Sequence, residues 1–345
     1  MQTNIYWQRI DNLLSYDYAL NFFKKNLKKI SSKGRQITHL KLNVIKNHRG
    51  KTNRHIVVYY IMKYLDSVGI EKKARIIASA HSSGCRKRTY KVMKFIYTHG
   101  FNIKKYKIPK PFLYDQAHRA LFYFAAPGHN LYSYIRNGDW ETFEKNSFRL
   151  AGWLAKFHDL PVHKIKLKTL HLTRKSIDPT DLMDKKNPTA LEFKKELVQL
   201  YKIIKTKEKH LVVSKDHFVH GDLHPENVII NPDGENITVI DFTEAQRGDS
   251  TYDVASFCQQ VEAMSMGYFP REKIREHQKK FLELYFKERN IKPDPKVFEK
   301  INLYMAWVAL RGAIYFINSK RADKIEEFIR ECKSYLNKIN DKVDF

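Results

Sequence analysis

His220-Gly221-Asp222-Leu223-His224-Pro225-Glu226-Asn227, followed by Val239-Ile240-Asp241-Phe242-Thr243, is the stretch that decides how this chain folds. Between the two pieces, Val228-Ile229-Ile230 and Ile237-Thr238-Val239-Ile240 flank Asn231-Pro232-Asp233-Gly234-Glu235. Two β-branched runs around such a turn predict a β-hairpin. Asn227 precedes its first strand and Asp241 closes its second, so the hairpin brings the two close. Taken singly each residue is bland: an Asp before a strand caps a turn, and an Asn forms one. Together they set three oxygen-bearing side chains, Asp222, Asn227 and Asp241, at fixed intervals around one hairpin.

That inventory suits phosphoryl transfer, which asks a protein for positioning and electrostatics more than for covalent chemistry. A kinase catalytic loop carries its base Asp five residues before a metal-binding Asn, and a second metal-binding Asp follows on the next hairpin. Asp222, Asn227 and Asp241 keep that spacing. Asp and Asn also offer the hard oxygens that magnesium prefers. His220 and His224 sit in the same loop as supporting polar residues.

Upstream, residues 1–30 read as an aromatic, amphipathic helical lead-in ending in Lys24-Lys25-Asn26-Leu27-Lys28-Lys29. Residues 37–45 alternate apolar and polar, and residues 55–61 are a β-branched and aromatic run, so both are predicted strands. The polar residues 47–53 form the turn between them. A third strand is expected over 74–80, then a helix over 86–98 stopped by Gly100. Short strands over 111–114 and 120–124 complete a small antiparallel sheet. After Pro127-Gly128 the composition turns helical. Apolar residues share faces at Phe143, Leu150, Leu154 and Phe157; at Phe193, Leu197, Leu200 and Ile204; at Ile301, Met305, Val308, Gly312 and Tyr315; and at Ile325, Phe328, Ile329, Cys332, Leu336 and Ile339. The expectation is an α+β, bilobal architecture. It has a small sheet lobe over residues 1–125, a larger helical lobe over residues 126–345, and a ligand in the cleft between them.

With 345 residues and 43% hydrophobic content the chain can bury a real core. No apolar run approaches the ~18 residues needed to span a bilayer, and the N-terminus lacks signal-peptide features. Cys85, Cys258 and Cys332 are widely spaced, which indicates neither a disulfide framework nor a zinc site. A cytoplasmic protein is the expectation. Lys+Arg of 63 against Asp+Glu of 37 gives +26, a field that favours anionic partners.

These residues resemble the aminoglycoside phosphotransferase and choline kinase-like branch of the protein kinase-like fold. The likeness also takes in Gly248-Asp249-Ser250-Thr251-Tyr252-Asp253, the helix over 150–158 ending in His158, and the hinge-like Tyr123-Phe124-Ala125-Ala126-Pro127-Gly128. The resemblance implies an ATP- and Mg2+-dependent phosphotransferase acting on a hydroxyl. It makes Asp222 the base and Asn227 and Asp241 the magnesium ligands. The backbone of Phe122, Tyr123, Phe124, Ala125 and Ala126 would hold adenine. Asp253 would brace the catalytic loop, although a plain helix-start residue is an equal reading of it.

The small lobe departs from the pattern. Kinases of this fold use a Lys on the third strand and a Glu on the next helix. Here Ser79 or Ala78 stands at the first position and Thr89 near the second. The neighbourhood is basic instead, with Arg86, Lys87, Arg88, Lys91 and Lys94, or Lys72 and Lys73, as replacements for the grip on phosphate. No Gly-rich phosphate loop is present, and Thr243 follows Asp241-Phe242 where protein kinases carry Gly. Two other readings therefore stay open: a kinase-like scaffold that binds nucleotide without transfer, and a polyanion-binding module suggested by charge alone. The expected acceptor is a hydroxyl of a small molecule or glycan. The charge favours an anionic one, with Lys164, Lys166, Lys168, Arg174 and Lys175 on the acceptor side. Contact with an anionic membrane surface fits the same field; nucleic acid fits the motif poorly.

Overall fold

The computed structural model describes residues 2–50, 53–103, 105–172, 188–211, 216–232, 234–318 and 324–339. They form two compact units, Met1–His129 with Ile229–Thr243, and Asn130–Val228 with Glu244–Phe345.

In the first unit, helices α1 (Gln2–Asp11) and α2 (Tyr16–Ile30) precede strands β1 (Gln36–Arg49), β2 (Arg54–Leu65) and β3 (Glu71–His81). Helix α3 (Arg86–Thr98) and strands β4 (Tyr106–Lys107), β5 (Pro111–Asp115) and β6 (Ala120–Phe124) follow. The main sheet is antiparallel in the order β1-β2-β3-β6-β5. The strands run longer than their apolar alternation suggests, because β1 and β2 pair on to Arg49 opposite Arg54. Lys51 and Thr52 of the expected turn lie outside the described residues.

Burial alternates strictly along β2, as a pleated strand with one covered face requires. Ile56, Val58, Tyr60 and Met62, with Ile76, Ala78 and Ala80 of β3, pack in one core with Ile10, Leu13, Phe23 and Leu27 of the lead-in. Tyr60 donates its hydroxyl to the Leu13 carbonyl, and Arg54 pairs with Asp11 at 2.6 Å. His55, Val57 and Ser79 therefore belong to the opposite sheet face. Helix α3 stops at His99, and Gly100 takes φ 93 as its terminator.

The hairpin strands are Val228–Ile230 and Ile237–Val239, and the second runs parallel to β4 with Ile237 opposite Tyr106. Asp241 does not close that strand as expected. It lies two residues beyond, at φ 61, a left-handed conformation that a short polar side chain tolerates. Gly128 makes room for the hairpin: at φ 115, an added Cβ would meet the Ile230 carbonyl oxygen at 1.8 Å.

The second unit holds α4 (Leu131–Arg136), α5 (Trp140–His158), α6 (Pro188–His210), α7 (Thr251–Ser265), α8 (Arg271–Glu288), α9 (Pro295–Asn318) and α10 (Ile325–Leu336). Asn130 and Asp139 cap α4 and α5, accepting from the Ser133 and Thr142 amides at 2.9 and 3.0 Å. Tyr315 corrects the periodicity reading, since it is 66% exposed. Helix α9 is covered nearly all round from Leu303 to Leu310 and then narrows to a face at Ala313, Ile314 and Ile317, which leaves Tyr315 outside. Of the basic acceptor-side residues, Lys164, Lys166 and Lys168 are described; Arg174 and Lys175 lie outside the described residues.

Glu331 of α10 is buried, and its carboxyl is pushed up to about 8 by burial and by the neighbouring Glu262. Gln259 donates to one oxygen at 3.1 Å, and the other has no hydrogen-bond partner among the described residues. Its folded pKa exceeds its unfolded one, so the folded state holds the extra proton. Stability is full below the unfolded carboxyl range, near pH 4.5, and declines as pH rises to about 8. Glu331→Gln is therefore expected to raise Tm at pH 8, by on the order of a few kcal/mol in stability, with little change at pH 4.5. Thermal unfolding across pH 4.5–8.5 checks this; parallel curves for the two proteins would refute it.

Candidate active site

The motif loop of the second unit is built around one buried carboxylate. Strand His217–Val219 delivers His220, fully buried, and Gly221 then turns at φ 83. A Cβ on Gly221 would lie 2.4 Å from the Glu244 carbonyl oxygen, so glycine alone fits. Asp253, in the first turn of α7 and with no exposed surface, accepts from the His220 amide at 2.7 Å and the Gly221 amide at 2.9 Å. His158, at the end of α5, adds its Nε2 at 3.1 Å. Burial holds the His158 pKa down against the pull of Asp253, so the ring is neutral. Its Nε2–H then donates to Asp253, and its Nδ1 accepts from the Tyr285 hydroxyl at 2.8 Å. Asp253 is thus both a helix-start residue and a brace, and three donors are what make a buried carboxylate tolerable.

The braced loop presents Asp222, whose side chain is 46% exposed. Its backbone is held on both sides: the amide donates to His220 Nδ1 at 3.4 Å, and the carbonyl accepts from Asn227 Nδ2 at 2.8 Å. Asn227 Nδ2 also contacts His224 Nε2 at 2.9 Å, and that ring lies 4.0 Å from the Asp222 carboxylate. Asn227, in the short turn Pro225–Asn227, directs its donor into the loop. Its oxygen has no hydrogen bond to the described residues, which leaves a hard oxygen for a cation.

Asp241 belongs to the first unit, where its carboxylate Oδ1 accepts from the Thr243 hydroxyl at 2.6 Å and the Thr243 amide at 3.3 Å. Thr243, which stands where protein kinases have glycine, is itself held by α3. Arg86 Nη1 donates to its hydroxyl at 2.5 Å and Arg88 Nη2 to its carbonyl. Arg86 Nη2 reaches His55 Nε2 of β2 at 2.9 Å. Burial, and then the Arg86 charge, push His55 down to about 3, so its neutral ring accepts this bond. Burial and the Asp241 charge push the Tyr123 hydroxyl up, which places Tyr123 in the same electrostatic neighbourhood.

Ser79 is buried on β3 opposite Val57 and Leu121, and Thr89 is buried in α3. Neither provides the charge that the third-strand Lys and helix Glu carry elsewhere. Of the segment read for adenine, Phe122, Tyr123 and Phe124 lie in β6, and the amides of Phe124 and Ala125 already donate to the Lys110 and Arg75 carbonyls. Sequence reasoning missed His158 as a partner of Asp253, Tyr285 as the residue behind His158, and His55 as a partner of Arg86. His55 was findable, because the strand alternation puts it off the core face. The His158–Asp253 contact spans 95 positions and has no local signal.

The chain matches the family model of the phosphotransferase enzyme family over residues 74–283, and it belongs to that family. A probable ethanolamine kinase of Nematostella vectensis is 30% identical over 137 residues, 37% of this chain and 38% of that protein. The chain thus aligns with well under half of that relative's length. Among solved structures, choline kinase from Cryptosporidium parvum Iowa II aligns with a TM-score of 0.58 at 15% identity, covering 94% of this chain and 95% of that one. Amicoumacin kinase in complex with AMP-PNP and Ca2+ aligns with a TM-score of 0.55 at 16% identity, covering 92% and 95%. These likenesses show the fold, which is the α+β, bilobal protein kinase-like fold read from the sequence. No helix among the described residues is long and apolar enough to cross a membrane.

Proposed function

We propose that the chain is a kinase that moves the γ-phosphoryl group of ATP to a hydroxyl of a small molecule or glycan, with Asp222 as the base. The observation that carries this is the loop at Asp253, which fixes the backbone on either side of Asp222 while the carboxylate stays accessible. A positioned base of this kind has a use in catalysis and none in a scaffold. The Asp222 carboxylate takes the proton of the acceptor hydroxyl as its oxygen attacks the γ-phosphorus. The bond from that phosphorus to the bridging oxygen breaks, and ADP leaves with the electron pair. Asn227 and Asp241 are the proposed oxygen ligands to magnesium, which when bound neutralises phosphate charge. With the Phe124 and Ala125 amides engaged in the sheet, contacts to the adenine edge fall to the strand's exit, where Ala126 lies. The ethanolamine, choline and amicoumacin kinases named above support a small hydroxyl compound as acceptor.

For the acceptor we favour an anionic compound. Arg311 of α9, exposed, donates to the Tyr252 hydroxyl at 3.3 Å. Its pKa is raised first by Tyr252 and then by the Asp222 carboxylate, so its positive charge acts on the proposed base. The test is transfer from γ-labelled ATP with magnesium to pooled acceptors: sugar phosphates and phosphorylated glycans against choline, ethanolamine and aminoglycosides. Label in the anionic set is the expected result. Label only in the cationic set overturns the acceptor class. Binding of Mg-ATP with transfer to nothing, water included, overturns the kinase reading in favour of a nucleotide-binding scaffold.

A further inference from the structure

We propose that Arg86 is the small-lobe cation that holds the nucleotide phosphates, taking over the work that the third-strand Lys does in other kinases. The inference rests on the nucleotide-binding part of the function proposed above. It starts from a deficit. Arg86 is 7% exposed and, among the described residues, bonded only to neutral groups, the Thr243 hydroxyl and the His55 ring. Its buried Nε has no hydrogen-bond partner among the described residues. A guanidinium carries five N–H donors, and two are used here. Taking a charge out of water without a carboxylate to pair it is costly, and a bound anion would offset that cost.

The place of that guanidinium identifies the anion. Its bond to His55 sets it on the sheet face opposite the lead-in helices, where Ser79 stands across from Val57 and Leu121. Ser79 is the position that the kinase pattern reserves for lysine. A serine there is too short to carry charge, and the first turn of α3 brings one in from the side. The second bond of Arg86 runs through the Thr243 hydroxyl to the Asp241 carboxylate. One residue thus touches the strand face where lysine is missing and steadies the proposed metal ligand. The planar fork of an arginine suits phosphate oxygens better than a point charge does. Thr243, where glycine would offer no hydroxyl, links the two.

Isothermal titration of the whole chain with AMP-PNP and, separately, with adenosine tests this. Arg86→Gln is expected to weaken AMP-PNP binding by about 10- to 100-fold, the worth of charge-assisted hydrogen bonds, and to leave adenosine binding unchanged. Arg86→Lys, which keeps the charge but not the fork, is expected to fall between. It also carries the test if the Gln variant fails to fold. Thr243→Val breaks the link to Asp241 but keeps the cation, and is expected to lose less AMP-PNP affinity than Arg86→Gln. Equal losses for AMP-PNP and adenosine would assign Arg86 a structural role and overturn the inference. So would an Arg86→Gln variant that binds AMP-PNP like the wild type, while the kinase reading stood. Wild-type protein that binds neither compound would overturn both.

Discussion

Asp222→Asn is expected to lower kcat by about 10²–10⁴ while nucleotide affinity stays at the wild-type level. The magnitude is what a positioned general base contributes, and the amide of Asn cannot take the acceptor proton. The exchange is nearly isosteric. The loop is held through the backbone amide and carbonyl of residue 222, which the substitution keeps. The side chain is 46% exposed, so no buried group loses a partner and stability should move by no more than about 0.5 kcal/mol. The readouts are kcat and the nucleotide KM from steady-state transfer, with Tm as the control. A fall in kcat at constant KM means that the lost interaction belongs to the transition state. A variant that turns over within a few-fold of wild type would show that Asp222 does not act as the base.

What the sequence disclosed about this site follows from how far apart its parts lie. The hairpin, with Asp222 and Asn227 before it and Asp241 after it, is a local object, and its turn chemistry and spacing are written in consecutive residues. The β1 and β2 strands were legible for the same reason, the first through its alternation over residues 37–45 and the second through its β-branched and aromatic run. Asp241 was misplaced by two residues because a left-handed φ leaves no mark on hydropathy. Tyr315 was misread because a helix covered from several sides does not keep one apolar stripe. The environment of Arg86 was legible only as a surplus of positive charge in α3. Which of five basic residues turns inward depends on His55 and Thr243, respectively 31 positions before and 157 after Arg86. A fold-level motif can announce a missing lysine, but only packing reveals its substitute.

Asp253→Asn should have the largest combined effect on folding and rate, and its geometry says why. The carboxylate receives the His220 amide and His158 on Oδ2 and the Gly221 amide on Oδ1, all with no exposed surface on residue 253. An amide replaces one acceptor with a donor. With the NH2 in the Oδ1 position, it faces the Gly221 N–H. With the NH2 in the Oδ2 position, neutral His158 can shift its proton to Nδ1 and donate to Tyr285, but the His220 N–H is still orphaned. Either way one buried backbone donor loses its partner, which costs about 1–3 kcal/mol, and the remaining bonds lose their charge assistance. Unfolding free energy should drop by roughly 2–4 kcal/mol in total. The loop carrying Asp222 is then fixed at one fewer point. A displacement near 1 Å is enough to cost about 10² in kcat without touching nucleotide affinity. A double-mutant cycle with His158→Ala separates the two effects. The pair should couple by about 0.5–3 kcal/mol in stability because they share a hydrogen bond. The kcat loss should come from Asp253, since His158 does not touch the loop amides. A His158→Ala variant that lost as much kcat as Asp253→Asn at equal stability would mean that the brace runs through the histidine and not through the two backbone amides.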